Sequence, residues 1–213
     1  DSDPTAVEGD VWYNDTKSLL KMFAAAGSWA SGGNMNTARG FHGMAGQGTQ
    51  TAAFGFGGTV SPKQQAEQYD GSSWTEVADL NTARQGGMMF GTNTAALYSG
   101  GTPPNTAKNE SWDGTSWTEV NDLNTARNSG AAGGTSTSGL VFGGTPPQVA
   151  NTEFWNGSSF TELADLSTAR QDLGGDGASS VAAIGFGGAP GSGVSSATEE
   201  WTADAALSTV TVS

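Results

Sequence analysis

The sequence predicts an all-β protein built from short antiparallel strands in repeated four-stranded units. Three observations carry that expectation. The block SSWTEVADLNTARQGG, Ser72 to Gly87, returns as TSWTEVNDLNTARNSG and again as SSFTELADLSTARQDL. Glycine makes up 33 of 213 residues and charged residues only 14%, while Gly, Thr and Ser dominate and few long stretches look helical. Seven Trp, nine Phe and three Tyr supply the large apolar surfaces that a disordered chain would lack.

Self-alignment fixes the period. Arginines fall at Arg39, Arg84, Arg127 and Arg170. Glycine pairs fall at Gly57–Gly58, Gly100–Gly101, Gly143–Gly144 and Gly187–Gly188. An aromatic follows each pair, at Tyr69, Trp112, Trp155 and Trp201, and a glutamate stands two residues before it, at Glu67, Glu110, Glu153 and Glu199. Successive marks are 43 to 46 residues apart.

Each element then has a local reason. A Gly-rich run such as NSGAAGG after the arginine reads as a first strand. The apolar runs TAAFGFGG, TAALYSGG, SGLVFGG and VAAIGFGG read as second strands. AEQYDG, KNESWDG, NTEFWNG and ATEEWTA read as third strands, and SWTEVADL or its variant as the fourth. Asp-Gly and Asn-Gly between the third and fourth favour tight hairpins. Proline between the second and third suits a loop and not a central strand. Four strands per 40 to 45 residues is the period of a propeller blade. Small residues then let the inner strands approach, and aromatics fill the wider space between blades.

The expected organisation is one domain over 1–213, with repeats at 37–80, 81–123, 124–166 and 167–213. Residues 1–36 supply DVWYN, LLKMF and GSWASGGN, the last matching the fourth strand of a repeat. These complete a closing fifth blade, with ALSTVTVS at the C-terminus as a further strand, and joining the ends removes exposed sheet edges. The alternative is four blades with the N-terminal hairpin as an appendage.

Composition excludes some functions. Formal net charge is −13 and the pI is near 4.1, which repels nucleic acid and anionic membranes and favours solubility. There is no cysteine, so thiol nucleophiles, thiolate metal sites and disulfides are absent. No apolar run approaches the roughly 20 residues of a membrane-spanning helix. The start, DSDPTAVEGD, has neither the basic nor the apolar region of a signal peptide.

A glycine pair, an aromatic followed by Asp-Gly, then Trp and L-N-T-A-R together resemble the kelch repeat. The resemblance covers residues 28–201 and implies a β-propeller. It departs in the interval from Tyr69 to Trp74, which is shorter than in most kelch repeats. The DGSSW stretch is similar to the Asp-box turn of sialidases. The low-charge N-T-A-R, F-G-G-T and E-E-W copies resemble kelch-like proteins of marine bacteriophages, and VEGDVWYNDTKSLLKMF resembles a hairpin of phage tail-fibre proteins. These likenesses imply a virion or extracellular location, with other virion proteins or a host-surface glycan or protein as partner. Copper-radical oxidases share the kelch fold but need Cys, Tyr and several His, a set this chain does not contain.

The residues support binding over catalysis. An arginine present in every repeat serves what every blade needs, so each is expected to pair with Glu67, Glu110, Glu153 or Glu199, or with strand-end carbonyls. His42 is the single histidine and builds no metal site. Asp79, Asp122 and Asp165 recur by repeat and read as turn residues. GMAGQG lacks the Lys-Ser/Thr of a phosphate loop, and no D-x-D-x-D-G calcium loop occurs. Three N-x-[ST] sequons, at Asn14, Asn109 and Asn156, are incidental in a protein made in a bacterium. No cofactor or metal is expected. The loops 59–66, 102–108, 145–151 and 189–197 differ most between repeats and emerge on the face of the N-T-A-R connections. Their candidate binding residues are Lys63, Gln64, Pro103, Pro104, Asn105, Pro146, Pro147 and Gln148. The expected function is a non-enzymatic surface-binding module. A purely structural decoration domain is the alternative, and a polysaccharide hydrolase using two facing carboxylates is a third reading.

Overall fold

The computed structural model describes residues 11–14, 19–22, 29–40, 43–44, 48–191 and 193–203. Among these residues there is no helix, and seventeen strands form five antiparallel sheets. The chain divides into two compact units, 1–32 and 33–213. The first holds a hairpin of β1 (Val11–Asn14) and β2 (Leu19–Met22), the two N-terminal strands that DVWYN and LLKMF predict. Residues 29–35 match a fourth strand in sequence, yet they form no strand in the structure.

The second unit holds four sheets, each a meander in chain order. Sheet I is β3 (Gly43–Met44), β4 (Ala53–Phe56), β5 (Ala66–Tyr69) and β6 (Trp74–Val77). Sheet II is β7 (Met88–Thr92), β8 (Ala95–Ser99), β9 (Asn109–Trp112) and β10 (Trp117–Val120). Sheet III is β11 (Ala131–Thr135), β12 (Ser138–Phe142), β13 (Thr152–Trp155) and β14 (Phe160–Glu162). Sheet IV has three described strands, β15 (Gly174–Ser179), β16 (Ala182–Phe186) and β17 (Thr198–Thr202). ALSTVTVS and His42 lie outside the described residues.

The sheets pack face to face in sequence, and each contact is an apolar layer. Phe54, Phe56 and Leu80 of sheet I and its exit meet Met89, Tyr98, Trp112 and Trp117 of sheet II. Met88, Phe90, Leu97 and Leu123 meet Val141, Trp155 and Phe160 of sheet III. Leu140 and Phe142 meet Leu173 and Ala183, with Trp201 against them. The first strands of successive sheets lie beside one another, β7 by β11 and β11 by β15. Close approach there explains the small residues: a Cβ on Gly133 would lie 2.6 Å from the backbone nitrogen of Gly177.

Within sheets I to III, the third-strand aromatic packs at a tilt against the first residue of the fourth strand. Ring centroids are 5.2 Å apart for Tyr69–Trp74, 5.3 Å for Trp112–Trp117 and 4.9 Å for Trp155–Phe160. The indole N–H groups of Trp112, Trp155 and Trp201 donate to the carbonyls of Asn93, Ser136 and Ser180 in the turns between first and second strands. Burying an aromatic while satisfying its polar end lets it hold both hairpins at once.

Candidate functional site

The four repeated arginines sit in the segments that lead into each sheet, and Arg84, Arg127 and Arg170 follow the fourth strand of the sheet before. Each turns into the sheet that follows it and meets the glutamate of that sheet's third strand. Arg39 pairs with Glu67 at 2.8 Å and Arg127 with Glu153 at 3.0 Å; Arg84 pairs with Glu110 and Arg170 with Glu199. Each guanidinium also donates to strand-end carbonyls: Arg39 to Gly57 and Gln65, Arg84 to Tyr98 and Gly100, Arg127 to Val141 and Asn151, Arg170 to Gly187 and Ala197. A planar donor fork fits such a mixed set of acceptors better than an ammonium would. Arg84 also lies 4.6 Å over the Tyr98 ring.

The glutamates do a second job that sequence reasoning missed. Each carboxylate accepts backbone N–H bonds from the connection carrying the arginine. Glu110 accepts from Asn81 at 2.7 Å and Thr82 at 3.2 Å, and Glu153 from Asn124 at 2.7 Å and Thr125 at 3.3 Å. Glu67 does the same with Asn36 and Thr37, and Glu199 with Ser167. The Asn81 amide bonds both Glu110 and the carbonyl of Trp117, so one side chain ties the exit of sheet I to two strands of sheet II. The signal was the asparagine of N-T-A-R, present in three of the four connections with serine in the fourth. Burial raises the Glu67 pKa, but the Arg39 hydrogen bond and the Asn36 and Thr37 N–H bonds outweigh it and hold the carboxyl below its ordinary value. Glu199 is lowered by the same balance, with Ser167 and Arg170 opposing burial. For Arg127, burial dominates and lowers the guanidinium against the pull of Glu153, Glu162 and Asp165.

The glycine pairs follow from this clamp. Gly100 has φ +69°, and a Cβ there would stand 2.2 Å from the Arg127 carbonyl oxygen. That same carbonyl accepts the Gly101 N–H at 2.9 Å. The loop between second and third strands is thereby sewn to the next connection. Paired backbone bonds extend the seam at Gln85–Thr102, Asn128–Thr145 and Gln171–Ala189. The two sets of loops therefore share one end of the sheets.

At that end the structure divides the eight candidate binding residues. Pro103, Pro104, Pro146 and Pro147 are exposed, whereas Lys63, Gln64, Asn105 and Gln148 are half-buried. Asn105 donates to the Ala126 carbonyl and accepts from Asn128, and Gln148 bonds the backbone of Ala189 and Gly191. Those two side chains serve the seam. Two apolar residues not singled out from the sequence join the prolines: Val60 is 45% exposed and Val194 92%. The opposite end carries turns 70–73, 113–116 and 156–159, where Asp70, Asp113 and Asn156 cap their own hairpins, and Val181 of the β15–β16 turn is 55% exposed there.

Between sheets III and IV lies a half-open cleft of about 70 Å³ lined by Leu140, Phe142, Leu166, Gly185 and Trp201. Asp165, Glu199 and Glu200 border it. Glu199 is engaged with Arg170 and Ser167, and Asp165 accepts from the Thr152 N–H at 3.4 Å. Asp122 accepts from Asn109 in the same way, so these aspartates brace the fourth strand's exit. Asn109, in a sequon, is fully buried. Among the described residues no group of three His, Cys, Asp or Glu is placed to hold a metal ion. No protein-family model and no curated protein sequence matches this chain.

Proposed function

We propose that this chain is a kelch-like β-propeller that binds a surface partner without catalysing a reaction, as an appendage or fibre domain of a bacteriophage virion. The partner is a host-surface glycan or protein. One observation supports binding above the rest: six exposed apolar residues stand in the loops at one end of the sheets. Val60, Pro103, Pro104, Pro146, Pro147 and Val194 all stand in loops between second and third strands. These loops vary on a seam of backbone bonds that does not, and exposed apolar patches mark interaction surfaces. The phage assignment draws on the sequence resemblance.

In this reading the sheets are blades, and the ring is closed by N- and C-terminal strands as a fifth blade. A second closure draws on a specific spacing. Trp29 stands seven residues before Asn36, as Trp74 does before Asn81 and Trp117 before Asn124. A four-bladed ring would take its last outer strand from that register and leave the hairpin as an appendage.

Binding of the chain to glycan arrays and bacterial cells tests the function. Val60→Asp with Val194→Asp is expected to weaken binding by about tenfold or more, with an unchanged unfolding midpoint. Binding that ignores both substitutions would remove this face from consideration. A chain that binds neither glycans nor cells, yet is found on virions by antibody labelling, would favour the decoration role.

A further inference from the structure

Three hairpin turns share one construction, and one of them carries an amide where the other two carry a carboxylate. In the β5–β6 turn, Asp70 Oδ1 accepts the N–H groups of Ser72 and Ser73 and the Ser72 hydroxyl, each at 2.8 Å. Its Oδ2 accepts the Ser73 hydroxyl at 3.3 Å. Asp113 repeats all four bonds with Thr115 and Ser116. In the β13–β14 turn, Asn156 takes the same place. Its Oδ1 accepts the N–H groups of Ser158 and Ser159, each at 2.9 Å, and the Ser158 hydroxyl at 3.0 Å. The fourth bond has no counterpart, because an amide NH₂ cannot accept from a hydroxyl.

The site is thus built for a carboxylate. The backbone N–H groups of Ser73 and Ser72 lower Asp70 to about 2, and Asp113 is lowered to about 2 by Thr115 and Ser116. Asn156 is exposed and is followed by Gly157, which is also exposed and has φ +95°. It is the one Asn-Gly pair in the sequence.

We propose that Asn156 is a site of spontaneous deamidation, with water as co-reactant, and that this turn converts to the aspartate its two sister turns carry. The Gly157 backbone nitrogen gives its proton to solvent base and attacks Asn156 Cγ; glycine has no Cβ to hinder the approach. The carbonyl electron pair moves onto Oδ1, where two N–H groups and a hydroxyl already converge. Donors placed on the oxygen that gains charge are the arrangement that stabilises such an intermediate. Its collapse breaks the Cγ–Nδ2 bond, expels ammonia after proton transfer from solvent, and leaves a five-membered succinimide. Water then adds to the ring. Cleavage at the Cγ–N bond restores the peptide and yields aspartate; cleavage at the other ring C–N bond yields isoaspartate. One water enters, one ammonia leaves, and nothing is oxidised or reduced.

The fold favours the first product. Isoaspartate adds an atom to the main chain between Trp155 and Phe160, which are register partners with rings 4.9 Å apart. The Ser158 carbonyl is also held by the Asn121 amide at 2.8 Å, from the neighbouring sheet's exit.

The test incubates the full chain at mildly alkaline pH, folded and in urea, and follows each asparagine peptide by mass spectrometry. In the folded chain the peptide with residue 156 should gain the mass of an amide-to-carboxyl exchange ahead of every other asparagine. Its aspartate share should exceed that formed in urea. Asn156→Gln should abolish the gain, and Asn156→Asp should coelute with the converted chain on ion exchange. A folded chain that keeps this amide while the chain in urea loses it would overturn the proposal. So would a gain in the Asn156→Gln chain at that peptide.

Discussion

At the scale of single residues, the buried ion pairs decide how the chain tolerates change. Arg127 and Glu153 have side chains 0% and 1% exposed, whereas Glu199 is 26% exposed. Removing one partner of a buried pair leaves the other charge without compensation, at a cost of about 3–5 kcal/mol. Glu153→Gln is expected to cost that much in urea unfolding, and Glu199→Gln clearly less, because the Glu199 end of the pair is 26% exposed and already shares its charge with water. Equal losses would show that the exposure difference is immaterial. Asp70 and Asp113 bear on acid stability. Both have folded pKa values of about 2, against an ordinary 3.8. A depressed folded pKa gives stability that is present above the unfolded value and is lost as pH falls toward the folded one. The unfolding midpoint should therefore drop between pH 3.8 and about 2, and Asp70→Asn with Asp113→Asn should flatten that drop. An unaltered acid limb would assign the slope to the interior glutamates instead.

At the scale of elements, the third-strand tryptophans Trp112, Trp155 and Trp201 are spacers between sheets. Trp155 is 2% exposed and packs on Phe160, so Trp155→Ala should cost about 3–5 kcal/mol. Trp201 occupies the same position in sheet IV but is half-buried beside the cleft. Trp201→Ala should cost markedly less, and the pair of variants can be read from one set of urea curves. Glycine can be as demanding as tryptophan. A Cβ on Gly139 would lie 2.4 Å from the Phe90 ring, so Gly139→Ala should cost about 1–3 kcal/mol through overpacking. Both positions explain why the repeat alternates large and small residues across the sheet contacts.

At the scale of the whole molecule, the expected reading is a ring, and its blade count is open to direct measurement. Class-averaged electron images viewed along the ring axis should show five lobes if the N-terminal strands build a blade of their own. Four lobes with a peripheral density would fit the hairpin as an appendage. An open stack without a central axis would reject the propeller.

The sequence by itself determined the β class, the period, the four strands of sheets I, II and III and the residues of the ion pairs. It could do so because repetition turns weak local signals into strong ones: an arginine and a glutamate that recur together at 43 to 46 residues must answer a need of every repeat. Only tertiary structure decided what the loops do. Asn105 and Gln148 read as free polar residues in variable loops, yet they are spent on the seam, while Val60 and Val194 stand in solvent. Polar side chains in loops take whatever backbone donor or acceptor the neighbouring sheet brings near, and that neighbour is set by packing across more than twenty residues of chain. The double role of the glutamates was hidden for the same reason. A carboxylate's first partner can be read from charge, but its bonds to the Asn81 and Thr82 N–H groups exist only once one sheet's exit lies over the next sheet's third strand.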